Sequence, residues 1–214
     1  MTIRLPKLAS LLLLSFSLPL GAQSFSATPA GAARGPVARV AYVSDELTDE
    51  TFELHGVPTD GSASPVLLSG PLVAGGDVFS IAQVSGGRVV YRADARVDGV
   101  AELFVVPDDG SAPPLVLSGA LVAGGSVNAF WAGEEFVVYQ ADAVVDGRDE
   151  LYSVPLDGSA PPLALTPGLD VYRFYALARD GARALFSTYP HSEERLYVVP
   201  TDASVPPLDL AGSG

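Results

Sequence analysis

The chain has 214 residues, no cysteine and a net charge of −13 at pH 7, with 25 acidic side chains against 12 lysines and arginines. Without cysteine, disulfides, thiolate metal centres and lipidated-cysteine anchors are excluded. So acidic a surface keeps a chain soluble, disfavours nucleic acid and anionic lipid, which need clustered Lys/Arg, and favours cations or basic proteins as partners.

In chain order, residues 1–22 read first as a secretory signal peptide. MTIRLPK carries Arg4 and Lys7 and no acid, and Leu8 to Ala22 is apolar or small with a proline near its end. The apolar run falls short of the roughly 18–20 residues that a spanning helix needs. The chain is therefore expected to be exported, to the periplasm or beyond, with no stable membrane insertion once the leader is cleaved. Losing Arg4 and Lys7, the latter the only lysine, would take the net charge to −15. Residues 23–36 (QSFSATPAGAARGP) are rich in Ala, Gly and Pro and read as a linker.

From residue 37 the chain repeats itself. RVVYRADARVDGVAELFVVPDDGSAPPLVLSG (88–119) matches FVVYQADAVVDGRDELYSVPLDGSAPPLALTPG (136–168), with an earlier copy near 38–76 and a shortened one near 182–212. Tyr42, Tyr91, Tyr139 and Phe186 are spaced 49, 48 and 47 residues apart. A period of roughly 40–50 residues is the length of a β-propeller blade. In the third copy four short apolar runs appear, VNAFWA (127–132), EFVVYQA (135–141), ELYSVP (150–155) and PPLALT (161–166). None is long enough for a helix of three turns, and all are rich in Val, Leu, Tyr and Phe. The second run is apolar at consecutive positions, which implies cover on both faces. Asp98-Gly99 and Asp146-Gly147 suit the turn between second and third strands. The Pro pairs 113–114 and 161–162 suit the start of an outer edge strand, because proline donates no ladder hydrogen bond.

LARDGARALFST (177–188), a turn with Asp-Gly followed by an apolar strand, resembles the hairpin of TolB-type, WD40-like propeller repeats, and VSGGRVVY (84–91) is a looser version. The Ser-Pro that usually precedes this Asp-Gly is replaced by Ala178 and Arg179. The resemblance covers about residues 38–212 and concerns repeat type. It implies an all-β propeller of four-stranded antiparallel blades, of a kind found in periplasmic TolB, in exported bacterial proteins and in propellers attached to serine peptidases. The repeats give about four blades, near 37–76, 77–125, 126–170 and 171–214: three complete sets and a first that lacks its first strand. A compact closed ring, an open arc closed by a second chain and a product truncated relative to its family are the alternatives. An incomplete or self-associating propeller, and hence a homo-oligomer, is the expectation.

Residues present in every copy are explained most simply by the fold, whereas positions that break the pattern are better site candidates. Asp45, Asp49 and Glu53 recur as Asp94, Asp98 and Glu102 and as Asp142, Asp146 and Glu150. Oxygen ligands grouped at a turn are what calcium takes. Aspartates that cap turns by accepting local N–H groups give the same pattern. Among pattern-breaking positions, Asn128 and Trp131 in one blade and Tyr172, Arg173 and Tyr175 in the next fall on the strand expected to line the central channel. An arginine among aromatics at the channel mouth suits an anionic group or peptide carboxylate; core filling by the aromatics and an Arg173–Asp170 pair is the structural alternative. Catalysis is not expected: no G-x-S-x-G elbow occurs, and His55 and His191, the only histidines, fall in different blades. The sequence thus points to an exported, non-catalytic propeller scaffold for protein or peptide. A calcium-stabilised surface module and the orphan propeller of a larger hydrolase are the alternatives, and no cofactor is required beyond calcium in the first of these.

Overall fold

The computed structural model describes residues 37–189 and 193–210. The signal-peptide and linker readings (1–22 and 23–36) and His191 lie outside the described residues. Within them the chain is all-β and forms four antiparallel sheets with no closed barrel. The first holds three strands, β1 (Arg39–Ser44), β2 (Glu53–Pro58) and β3 (Val66–Leu67). The second holds β4 (Val78–Val84), β5 (Arg88–Ala93), β6 (Glu102–Pro107) and β7 (Leu115–Val116). The third holds β8 (Val127–Ala132), β9 (Phe136–Ala141), β10 (Glu150–Pro155) and β11 (Leu163–Ala164). The fourth holds β12 (Val171–Leu177), β13 (Arg183–Thr188), β14 (Arg195–Pro200) and β15 (Leu208–Asp209). This is an open, propeller-like array of four blades, three complete and one lacking its inner strand, as the repeat count predicts.

Register shows why the anchors repeat. Tyr42 stands opposite His55, Tyr91 opposite Phe104, Tyr139 opposite Tyr152 and Phe186 opposite Tyr197. Each pair stacks, with ring centroids 5.0–5.4 Å apart. Directly opposed rings of this kind add about 0.5–1.5 kcal/mol beyond the area they bury. The Asp-x-Ser turns are equally local in origin. Asp60, Asp109, Asp157 and Asp202 each accept the N–H of the serine two residues on, at 2.9–3.0 Å. Those serine bonds hold all four carboxyls below the usual aspartate range.

The core lies between sheets. Leu54 and Leu68 of the first sheet pack on Val89 and Tyr91 of the second. Leu103 and Leu117 pack on Val137 and Tyr139 of the third, and Leu151 and Leu165 on Ala184 and Phe186 of the fourth. Each fully buried leucine contributes about 1.5–3 kcal/mol of transfer free energy.

Among the described residues no strand pairs with the outer side of β1, and a bare edge is normally a pairing hazard. The Gln83 side chain, reaching over from β4, covers one rung. Its Oε1 accepts the Ala41 N–H at 3.2 Å and its Nε2 donates to the Arg39 carbonyl at 2.8 Å. One amide thus makes both hydrogen bonds of a strand rung. Replacing Gln83 with Ala should cost about 1 kcal/mol in urea unfolding and speed hydrogen exchange at the Ala41 amide.

Candidate functional site

Four of the acidic side chains that recur through the repeats, Asp94, Asp142, Glu102 and Glu150, are engaged by backbone N–H or arginine groups. Asp94 accepts the Asp77 N–H through Oδ1 at 2.5 Å and the Gly99 N–H through Oδ2 at 2.9 Å. Asp142 does the same with Ser126 at 2.6 Å and Gly147 at 2.9 Å. Each carboxylate ties its own turn to the start of its inner strand. Asp98 and Asp146 lie over Gly75 and Gly124. A Cβ at Gly124 would fall 2.9 Å from the Asp146 carboxyl, and its φ of +85° suits glycine in any case. Glu102 is held by both forks of Arg96, and Glu150 accepts from Arg148 at 2.8 Å and from the Gly168 N–H at 2.9 Å. Asp45 and Asp49 are exposed in the loop before β2. The candidate calcium ligands are therefore spread over three blades, and among the described residues no three acidic or histidine side chains converge as a metal site would need.

The channel candidates divide between two hollows. The larger, about 830 Å³, opens where the inner strands turn back. Its wall is made by Gln83–Ser85, Trp131–Phe136 and Leu177–Ala182. Trp131 lies against Phe174 with ring centroids 4.6 Å apart and stays 39% exposed. Glu134, Glu135, Arg179 and Asp180 stand around the same opening. The smaller hollow, about 520 Å³, lies beside the start of β12 and is lined by Asp149, Asp170, Tyr172, Tyr189 and their neighbours. Asn128 reaches it indirectly, donating to Asp149 at 2.7 Å, while Gln140 donates to the other oxygen of Asp149 at 2.8 Å.

Arg173 and Tyr175 line neither hollow. The Arg173 guanidinium stacks 5.1 Å above the Tyr172 ring, a cation–π contact, and forms no ion pair with Asp170. The Tyr175 hydroxyl donates to Glu194, which also accepts from Ser187 Oγ at 2.7 Å. The five candidates are not one site. Trp131 belongs to the larger hollow, Tyr172 and, through Asp149, Asn128 to the smaller, and the remaining two to local packing.

Two residues that sequence reasoning passed over matter more than some it chose. Gln83 stands in register where Ala132 and Leu177 stand in the next two blades. Asp149 sits where the second blade has Ala101. Both break the repeat, which is the signal that could have found them. Burial raises the Asp149 carboxyl above the usual aspartate range, and the bonds from Gln140 and Asn128 only partly offset this.

Neither protein-family models nor curated proteins give a match to the sequence.

Two measurements test this arrangement. Asp142→Ala should cost about 1.5–3 kcal/mol, the range for hydrogen bonds to a charged group, and calcium or chelator should leave the melting temperature of the parent chain unchanged. In a carboxyl-carbon NMR titration, Asp149 should titrate above the ordinary aspartate value while Asp109 and Asp157 titrate below it. The sign follows by linkage. The protonated form of Asp149 favours folding at low pH, and this contribution is lost as pH rises through its elevated folded pKa. The lowered aspartates do the reverse, adding stability above the ordinary aspartate range that is lost as pH falls through their folded values.

Proposed function

We propose that this chain is an exported, TolB-like propeller that acts as a non-catalytic scaffold and binds a protein or peptide segment at the turn end of its inner strands. The observation that carries this is the larger hollow: about 830 Å³, walled by hairpins of three consecutive blades, with an exposed indole on one side. Hollows of roughly 300–1,000 Å³ are the size that ligands or a few peptide side chains fill. An exposed tryptophan offers a large, rigid contact at small entropic cost, which is why the residue recurs at binding hot spots. Rigid sheets holding the three hairpins would keep the site formed before its ligand arrives, sparing part of the ordering cost of binding. The rim carries Glu134, Glu135 and Asp180 against Arg179, and the whole chain is at −13. A segment with basic side chains is therefore favoured over an acidic one.

The non-catalytic part is supported by the setting of His55, the one histidine among the described residues. It is buried against the Tyr42 ring, with Nδ1 3.8 Å from Glu46, and Nε2 has no hydrogen-bond partner among the described residues. Among the described residues no serine or threonine hydroxyl is bonded to it as a nucleophile would be.

Trp131 is the only tryptophan of the chain, so its fluorescence reports on the hollow alone. Titration with extended peptides that differ only in Lys/Arg or Asp/Glu content should change the emission saturably with the basic set and not with the acidic set. Trp131→Phe combined with a binding assay that does not use fluorescence should weaken affinity several-fold. Unchanged emission with every peptide, or an equal response to both sets, would sink the proposal.

A further inference from the structure

We infer that the two end sheets of this array are made for each other: the fourth sheet of one copy docks on the first sheet of a second copy, and two such contacts close a ring. The three sheet-to-sheet contacts inside the chain use the same repeat positions. The leading sheet offers Leu54, Leu103 or Leu151 and Leu68, Leu117 or Leu165, all nearly inaccessible. The fourth sheet carries leucine at both corresponding places, yet Leu196 is 36% and Leu210 49% exposed, with no described sheet packed on them. The following sheet offers Val89, Val137 or Ala184 and an aromatic ring, all fully buried. The first sheet carries Val40 and Tyr42 there, and Val40 is 45% exposed.

Polar groups repeat the same story. Arg39, opposite Pro58 in register, donates from Nε to the Asp108 carbonyl of the next sheet at 2.8 Å and helps hold Asp109 ionised. Arg88, opposite Pro107, helps hold Asp157 ionised through its charge. Arg183 holds this register position in the fourth sheet, opposite Pro200, and Thr59–Asp60 are the first sheet's counterparts of Asp108–Asp109. Arg183 and Asp60 are exposed and form no ion pair with each other or with any other described residue. Docked in the manner of the internal contacts, Arg183 meets the partner's Asp60.

The outward face of the first sheet is also incomplete in its hydrogen bonds. Of the four buried side-chain polar atoms without a partner among the described residues, three are there: Ser44 Oγ, Glu53 Oε2 and His55 Nε2. Glu53 and His55 are both more than nine-tenths buried. Leu47 stands where Arg96 neutralises Glu102 in the next blade. The Tyr42 hydroxyl tells the same. Tyr91 and Tyr139 donate to the carbonyls of Ser69 and Ser118 on the preceding sheet, whereas Tyr42, with no described sheet before it, donates to Glu46 at 2.8 Å.

Such a contact is head-to-tail, and head-to-tail contacts make rings where the rotation closes and filaments where it does not. Twice four sheets lies at the top of the range of about four to eight blades found in closed propellers, so a two-fold ring is the closed solution.

Light scattering on the full chain at micromolar concentration tests this directly. The expected mass is twice the 22.1 kDa of one chain. Arg183→Glu and Asp60→Arg should each raise the dimer dissociation constant roughly tenfold through like-charge contact, and the double variant should return it toward the parent value. Leu196→Arg should give monomer, with a circular-dichroism spectrum and thermal midpoint showing that the exposed substitution leaves the fold intact. A monomer at every concentration, whether another segment of this chain or a different protein covers these faces, overturns the proposal. So do an open-ended series of masses, or a dimer whose affinity the charge exchange neither weakens nor restores. The peptide titration at Trp131 reads a separate surface, so its failure leaves this result standing and the reverse also holds.

Discussion

The stacking of the four sheets depends on one recurring contact, in which two leucines of one sheet press on the opposed aromatic pair of the next. A blade of four short strands has two apolar faces and no interior of its own, so it is stable only between neighbours. Leu103 and Leu117 against Tyr139 and Tyr152 show the contact complete. At Leu196 and Leu210 the same residues are present without a described neighbour. Repetition has thus carried the interface motif to the end of the array, where its apolar face is open to solvent.

The two kinds of irregularity in the repeats serve different ends. Some repair what repetition leaves undone: Gln83 supplies a rung to an edge without its inner strand. Others open the surface. Trp131 falls in register with Ala82 and Ala176 of the neighbouring inner strands and leaves an indole beside a hollow. Uniform positions do neither. Asp94 and Asp142 hold turn to strand through backbone N–H groups, which accounts for their recurrence.

Period, strand order and the three-stranded first sheet of the described residues were all legible in the residues, because each follows from local chemistry. Asp-Gly permits the left-handed turn, proline belongs on an edge strand, and consecutive apolar residues demand cover on both sides. The candidate site was legible only in part. Asn128, Trp131, Tyr172, Arg173 and Tyr175 were grouped because they share inner strands, but a strand about 20 Å long has two ends. Trp131 lies near one end and Tyr172 near the other, with register shifts in β8 and β12 redirecting side chains between them. Such shifts leave no mark in composition.

By itself, then, the sequence determined an acidic, cysteine-free array of all-β repeats, its turns and its outer edges, since these rest on interactions within a few residues or across one hairpin. Only the tertiary structure decided which atoms of Asp94 and Asp142 are occupied, where Asp149 gathers its partners, and which leucines stay uncovered. Those outcomes depend on residues some 15 to 70 positions apart, brought together by the stacking of one sheet on another.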